Sequence, residues 1–236
     1  MTSYNPLIFD KKSLLMQRVS DYAIAGYNHY TVGQVSFEKL PALCQKFNDL
    51  YLVGIKKDVR FKRKQLGLGN AVLLIWQCQP GLVMFVLMVQ PGKNPAHVLE
   101  KLSDIHDKRI HVTGYELVQL SRKGNVKSSW TWHMTKETYR AWELRIEQVT
   151  KSKNPALAAK SFFSLYRSPG FAGIRSQVGY LVKFWRGTWK RYKHKSEPFL
   201  APQTLYYVQR LKDSGTKLSA LIKQKNEADK NYTKTI

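Results

Sequence analysis

Carboxylates are scarce in this chain: 16 Asp and Glu stand against 39 Lys and Arg, a net charge of +23 over 236 residues. So large an excess of one sign attracts polyanions. Cysteine is nearly absent. Cys44 and Cys78 each lie inside an apolar run, which indicates neither a disulfide framework nor a Cys-based zinc site. No apolar run reaches the roughly 18 residues of a membrane span, and the opening MTSYNPLIFDKKSLL lacks a long apolar h-region. Secretion and membrane insertion are therefore not expected, and a reducing, cytoplasmic setting is. Neither an internal repeat nor a low-complexity tract occurs.

Catalytic signatures are missing as well. A strand-nicking enzyme of the HUH kind needs two histidines around one hydrophobic residue, plus a nucleophilic tyrosine, and no His-x-His occurs. A metal-dependent nuclease would carry Glu-x-Lys on a strand, and none exists here. Walker-type and Rossmann glycine loops are absent, and Gly67-Leu68-Gly69-Asn70 reads as a turn between strands. His106-x-x-Arg109 with Tyr139 downstream can be set against a tyrosine-recombinase pattern, but Tyr139 fits better as a core residue of its helix. Asp104, His106, Asp107 and His111 are the best candidates for a metal site, being side-chain types that hold divalent ions. Asp104 and Asp107, three apart on an expected helix, read more simply as solvated charge. No metal or cofactor is expected, and the chain is read as non-enzymatic, a divergent nuclease or recombinase being the alternative.

What the chain does have is concentrated between Lys183 and Lys195. There KFWRGTWKRYKHK threads six Lys or Arg with Phe184, Trp185, Trp189 and Tyr192. Cations neutralise phosphates, while aromatic and guanidinium groups stack on bases. Trp185, Trp189 and Tyr192 also lie at helical spacing, so they can face the core and leave Lys183, Arg186, Lys190 and Lys193 as a phosphate-binding stripe. Residues 151–236 hold 18 basic and 4 acidic residues, net +14, against 21 and 12, net +9, in residues 1–150. The C-terminal third is the expected electrostatic interface.

Apolar periodicity organises the rest. Phe37, Leu40, Cys44, Phe47 and Tyr51 predict a helix from Ser36, its expected cap. Gly54–Gln65 reads as a strand with Arg60, Lys62 and Lys64 on one face and Val59 and Phe61 on the other. Ala71–Cys78 and Leu82–Gln90, split by Gln79-Pro80-Gly81, predict a central hairpin. Asn94-Pro95 should open a helix burying Val98, Leu102 and Ile105. A second hairpin follows, Ile110–Leu120 with Ser128–Met134, turning at residues 122–125. Thr135 should cap a helix carrying Tyr139, Trp142, Ile146 and Val149. Polar residues 151–155 mark a boundary, and helices are expected at 155–167, 171–193 and 203–225. The fold class is thus α+β: a mainly antiparallel sheet with packed helices over residues 1–150, then a basic helical module over 151–236.

The segment Tyr166-Arg-Ser-Pro-Gly-Phe-Ala-Gly-Ile-Arg-Ser-Gln177, followed by a basic helix, resembles small basic proteins of bacterial plasmids and integrative conjugative elements. The resemblance covers about a tenth of the chain and no catalytic motif. It implies an accessory role in replication, transfer or maintenance of mobile DNA.

These readings converge on a nucleic-acid-binding protein, with DNA favoured over RNA. The expected contacts are Arg175, Lys183, Arg186, Lys190, Arg191 and Lys193, with Arg60, Lys62, Arg63 and Lys64 as a second patch. Trp185 and Trp189 are candidate stacking groups, and Arg175, Gln177 and Arg186 are side-chain types able to read base edges. The alternatives are an RNA-binding component of a ribonucleoprotein and a basic scaffold docking on an acidic protein partner. A protein partner within a nucleoprotein complex is compatible with the reading; a membrane partner is not expected.

Overall fold

A computed structural model of the chain describes residues 4–121, 128–152, 154–194, 197–199 and 205–233, with side chains as far as residue 227. The protein is α+β. Its contacts divide it into two compact units, residues 1–110 with 210–236, and residues 111–209. The composition boundary at 151–155 lies inside the second of these.

The first unit is built on a six-stranded sheet. Its order is β5 (Ser103–Asp104), β2 (His29–Ser36), β4 (Leu82–Val89), β3 (Ala71–Gln79), β1 (Leu7–Phe9) and β9 (Gly215–Lys217). All neighbours are antiparallel except β1 beside β3. The expected hairpin is its centre: β3 and β4 pair from Ala71↔Val89 to Gln79↔Leu82. Gly81, at φ +74°, closes the turn in a conformation that disfavours a side chain.

Both faces of this hairpin are buried, which is why its strands read as continuous apolar runs instead of alternating ones. Leu73, Ile75, Val83 and Leu87 form one cluster with Leu40, Cys44, Phe47 and Tyr51 of α2 (Leu40–Tyr51). Val72, Leu74, Met84, Val86 and Met88 alternate to the other face and are also buried. The helix α1 (Lys12–Ile24) packs against β3 and adds nothing to the first cluster, so helices cover both faces. Burial pushes the Cys44 thiol up to about 12, which keeps it protonated and inert.

Four expectations are corrected in this unit. The helix α2 starts at Leu40, with Pro41 in its first turn, whereas Ser36 ends β2. Residues 54–65 are not a strand: Lys57–Gln65 form α3. Its nine residues fit a two-residue alternation, but Arg, Lys and Gln favour helix, and Asp58 at the start with Lys62, Arg63 and Lys64 at the end suits the helix dipole. Beyond Asn94, whose side chain does accept from the Ala96 amide at 2.9 Å, the helix α4 (Ala96–Leu99) lasts one turn. Val98 is 87% exposed. The chain leaves the helix at Glu100, whose carboxylate accepts from the Tyr51 hydroxyl at 2.6 Å and Lys46 at 3.0 Å, a tertiary tie that local pattern does not show.

The fourth correction concerns residues 203–225. Within the described part, 205–214 carry no regular element. Gln17 Oε1 accepts from the Leu211 amide at 3.0 Å, Arg18 donates to the Leu211 carbonyl at 2.6 Å, and Arg210 pairs with Asp21 at 2.6 Å. This strap across α1 delivers β9 to the free edge of β1, and α8 (Leu218–Thr233) follows.

The second unit contains a three-stranded antiparallel sheet, β6 (His111–Val112), β7 (Tyr115–Ser121) and β8 (Ser128–Met134). The expected turn at 122–125 lies outside the described residues. Three helices follow: α5 (Lys136–Lys151), α6 (Pro155–Tyr166) and α7 (Ala172–Tyr192). The Thr135 side chain caps α5 by accepting from the Thr138 amide at 3.3 Å, and Asn154 caps α6 with Pro155 in its first turn. Ile146 and Val149 of α5 are buried; Tyr139 and Trp142 are only partly so.

Candidate nucleic-acid interface

The helix α7 runs for 21 residues because a single apolar stripe, Ile174, Val178, Leu181 and Trp185, repeats along it and is buried against β8, α5 and α6. Its seat on β8 is close. A Cβ on Gly173 would lie 2.2 Å from the His133 ring and 2.6 Å from the Trp132 carbonyl, so only glycine fits. Gln177 exchanges two hydrogen bonds with the Met134 backbone, accepting at 2.6 Å and donating at 3.2 Å, and thereby completes the edge of β8. This side chain is committed to the fold and does not read base edges.

Trp185 is corrected in the same way. It is fully buried and stacks on Phe162 of α6, with centroids 3.6 Å apart and planes at 11°. A stacking role on bases is closed to it. Trp189 is half-buried, donates its indole N–H to the Glu197 carbonyl at 2.9 Å and packs edge-on to Phe199. Lys193 is drawn in too: its ammonium donates to the Ser152 carbonyl at 2.8 Å and lies 3.8 Å from Glu197. Arg175 places its guanidinium 3.4 Å from the centre of the Tyr207 ring.

What remains on the opposite face of α7 is a row of exposed cations, Lys183, Arg186, Lys190 and Arg191. No ion pair engages any of these four among the described residues. Arg191 donates to Thr188 Oγ1 at 3.2 Å, and Arg186 lies over Phe199 at 5.7 Å, contacts that orient the guanidinium groups without neutralising them. From Lys183 to Arg191 the helix rises ~12 Å at about 1.5 Å per residue. That matches about three to four phosphate steps at ~3.4 Å per strand.

Of the aromatics in the basic run, Tyr192 is 52% exposed with Lys151 5.1 Å from its ring, so it does not face the core as its spacing suggested; two further exposed rings lie outside the run. Tyr180 is 60% exposed on α7 with Lys183 5.8 Å from its ring, and Phe163 is 63% exposed on α6 beneath Arg167 at 5.2 Å. Tyr180 lies three residues before Lys183, outside the basic run. Extending the helical spacing of the cations by one turn toward the N-terminus would have found it.

The second predicted patch divides likewise. Arg60 donates to the Val53 carbonyl at 2.8 Å and Arg63 to the Gly69 carbonyl at 3.3 Å, so each gives a terminal nitrogen to holding α3 on the first unit. Lys62 and Lys64 stay exposed, beside Phe61 at 64% exposure. The two lie on a helix that buries no residue, and the shared strand face expected for them does not exist.

The Asp104 cluster does not assemble. His106 donates its backbone N–H to Asp104 Oδ1 at 2.8 Å, His29 Nε2 lies 3.8 Å from Asp104 Oδ2, and His111 belongs to the second unit beside Glu116. Among the described residues no group of three or more His, Cys, Asp or Glu could hold a metal ion. Among them, too, no helix is long and apolar enough to cross a membrane. Compared with protein-family models, with curated proteins and with solved structures, the chain finds no match.

Proposed function

We propose that this chain is a non-enzymatic, cytoplasmic nucleic-acid-binding protein that grips a phosphate backbone with the exposed face of α7, DNA being favoured over RNA. The observation that carries the reading is the row Lys183, Arg186, Lys190 and Arg191, exposed and without an acidic partner among the described residues. Surface cations in an ordinary globular protein are interspersed with acids. The second unit instead carries 17 basic and 5 acidic residues, net +12. Its exposed Tyr180 and Phe163 add ring faces next to cations, the combination that single strands and unpaired bases stack on. An accessory role in the handling of mobile DNA is the context that the Tyr166–Gln177 resemblance adds to this reading.

Fluorescence polarisation with matched double-stranded DNA, single-stranded DNA and RNA, across a salt series, tests it. With six to ten phosphates neutralised, affinity should fall by about three to five orders of magnitude between about 50 and 200 mM salt. A flat salt dependence, or binding indifferent to the α7 cations, would overturn the proposal, and the ranking of the three ligands decides DNA against RNA.

A further inference from the structure

A cavity of about 580 Å³ opens in the first unit beside α3, within the ~300–1,000 Å³ range of small-ligand sites. Tyr4, Tyr22, Asn48, Arg60 and Lys217 supply its polar and aromatic lining, and no carboxylate contributes to it. Arg60 is half-buried there. One terminal nitrogen donates to the Val53 carbonyl, the guanidinium also interacts with the Tyr27 hydroxyl, its Nε is buried with no hydrogen-bond partner, and no ion pair engages it among the described residues.

A half-buried guanidinium with no counter-charge beside it favours an anion in the adjoining cavity. The neighbouring groups do not provide one. Burial, the main effect, holds the Tyr4 hydroxyl far above the ordinary tyrosine range despite the opposing pull of Arg60, so that phenol stays neutral. Lys217, exposed on the edge strand β9, brings a second positive charge to the rim. Asn48 is turned to the backbone, accepting from the Gly54 amide at 3.1 Å. Gly54 is itself held close, since a Cβ there would meet the Tyr4 ring at 2.5 Å. The wall is therefore preformed, with two phenol rings and two cations around a space of nucleotide size.

We propose that this cavity binds a small phosphate-bearing ligand with a planar ring, of the size of a nucleoside monophosphate, its phosphate held by Arg60 and Lys217. Arginine suits the role because its guanidinium stays charged and carries five N–H donors, of which the terminal ones not given to Val53 can serve a phosphate oxygen. The same chemistry is offered by a free nucleotide and by the phosphorylated end of a strand. The site lies in the first unit, so it stands or falls separately from the α7 face.

Isothermal titration of the full chain with AMP, adenosine and inorganic phosphate tests the site. AMP should bind saturably, adenosine should not, and phosphate should compete with AMP. Arg60→Gln should weaken AMP about tenfold or more, the loss expected for a hydrogen bond to a charged group. Because Arg60 also holds Val53, Lys217→Glu is the companion variant: its thermal unfolding should match the wild type while AMP binding falls severalfold. Competition by a 5′-phosphorylated dinucleotide, and not by its 5′-hydroxyl form, would assign the site to strand ends; failure of both to compete would assign it to free nucleotides. No saturable AMP binding up to about 10 mM, or an affinity unchanged in both variants, would overturn the proposal.

Discussion

The two basic helices, α3 and α7, look alike in composition and are held in opposite ways. In α7 the aromatic and aliphatic residues go inward, Trp185 onto Phe162, and four cations are left outside. In α3 nothing apolar is buried; Phe61 stays outside, and the arginines turn in to hold backbone carbonyls at Val53 and Gly69. An arginine therefore stays outside only where hydrophobic packing secures the helix. Where hydrophobic packing is missing, guanidinium groups supply the attachment and the lysines alone remain outside.

Three experiments test this contrast. Trp185→Ala should destabilise the second unit by about 3–5 kcal/mol, the cost of emptying a packed aromatic site, whereas Phe61→Ala on α3 should stay within about 0.5 kcal/mol. Chemical denaturation of both variants measures the difference, and equal losses would mean that the two helices are anchored alike. Next in size is binding. Changing Lys183, Arg186, Lys190 and Arg191 together to Ala should weaken DNA about a hundredfold near 0.1 M salt and lower the salt slope by about four. Circular dichroism should be unchanged, since none of the four is buried. The double variant of Lys62 and Lys64 should have the smallest effect, less than about tenfold in affinity with a slope lower by about two. If it matched the α7 variant, α3 would be an equal partner in binding.

The same contrast explains what could be read from the chain. The β3–β4 hairpin was legible because its burial on both faces leaves two long apolar runs and its turn is spelled Pro80-Gly81. In α7 spacing gave the helix and the inward turn of Trp185, but Tyr192, placed on the same inward stripe, is 52% exposed, and the buried stripe runs back through Leu181, Val178 and Ile174 instead. Lys57–Gln65 was not, because nine residues without a buried position carry no periodicity that separates helix from strand. The inward turn of Arg60 and Arg63, and the capture of Lys193 by Ser152, depend on carbonyls that the fold brings into reach. Composition counts these cations as surface charge; only their partners reveal otherwise. Residues 210–217 failed for a related reason, as a three-residue strand owes its existence to an edge strand about two hundred residues away in the chain.

That last pairing has a consequence for how the protein is made. The second unit is inserted between the two parts of the first, so synthesis completes residues 111–209 before the strand that closes the first unit exists. Until Lys217 has left the ribosome, β1 presents an unpaired edge, and α1 lacks the strap through Leu211 and Arg210. The nascent chain thus carries the complete basic module while the sheet is unfinished, and β1 stays open to wrong pairing until the strap and β9 have been made.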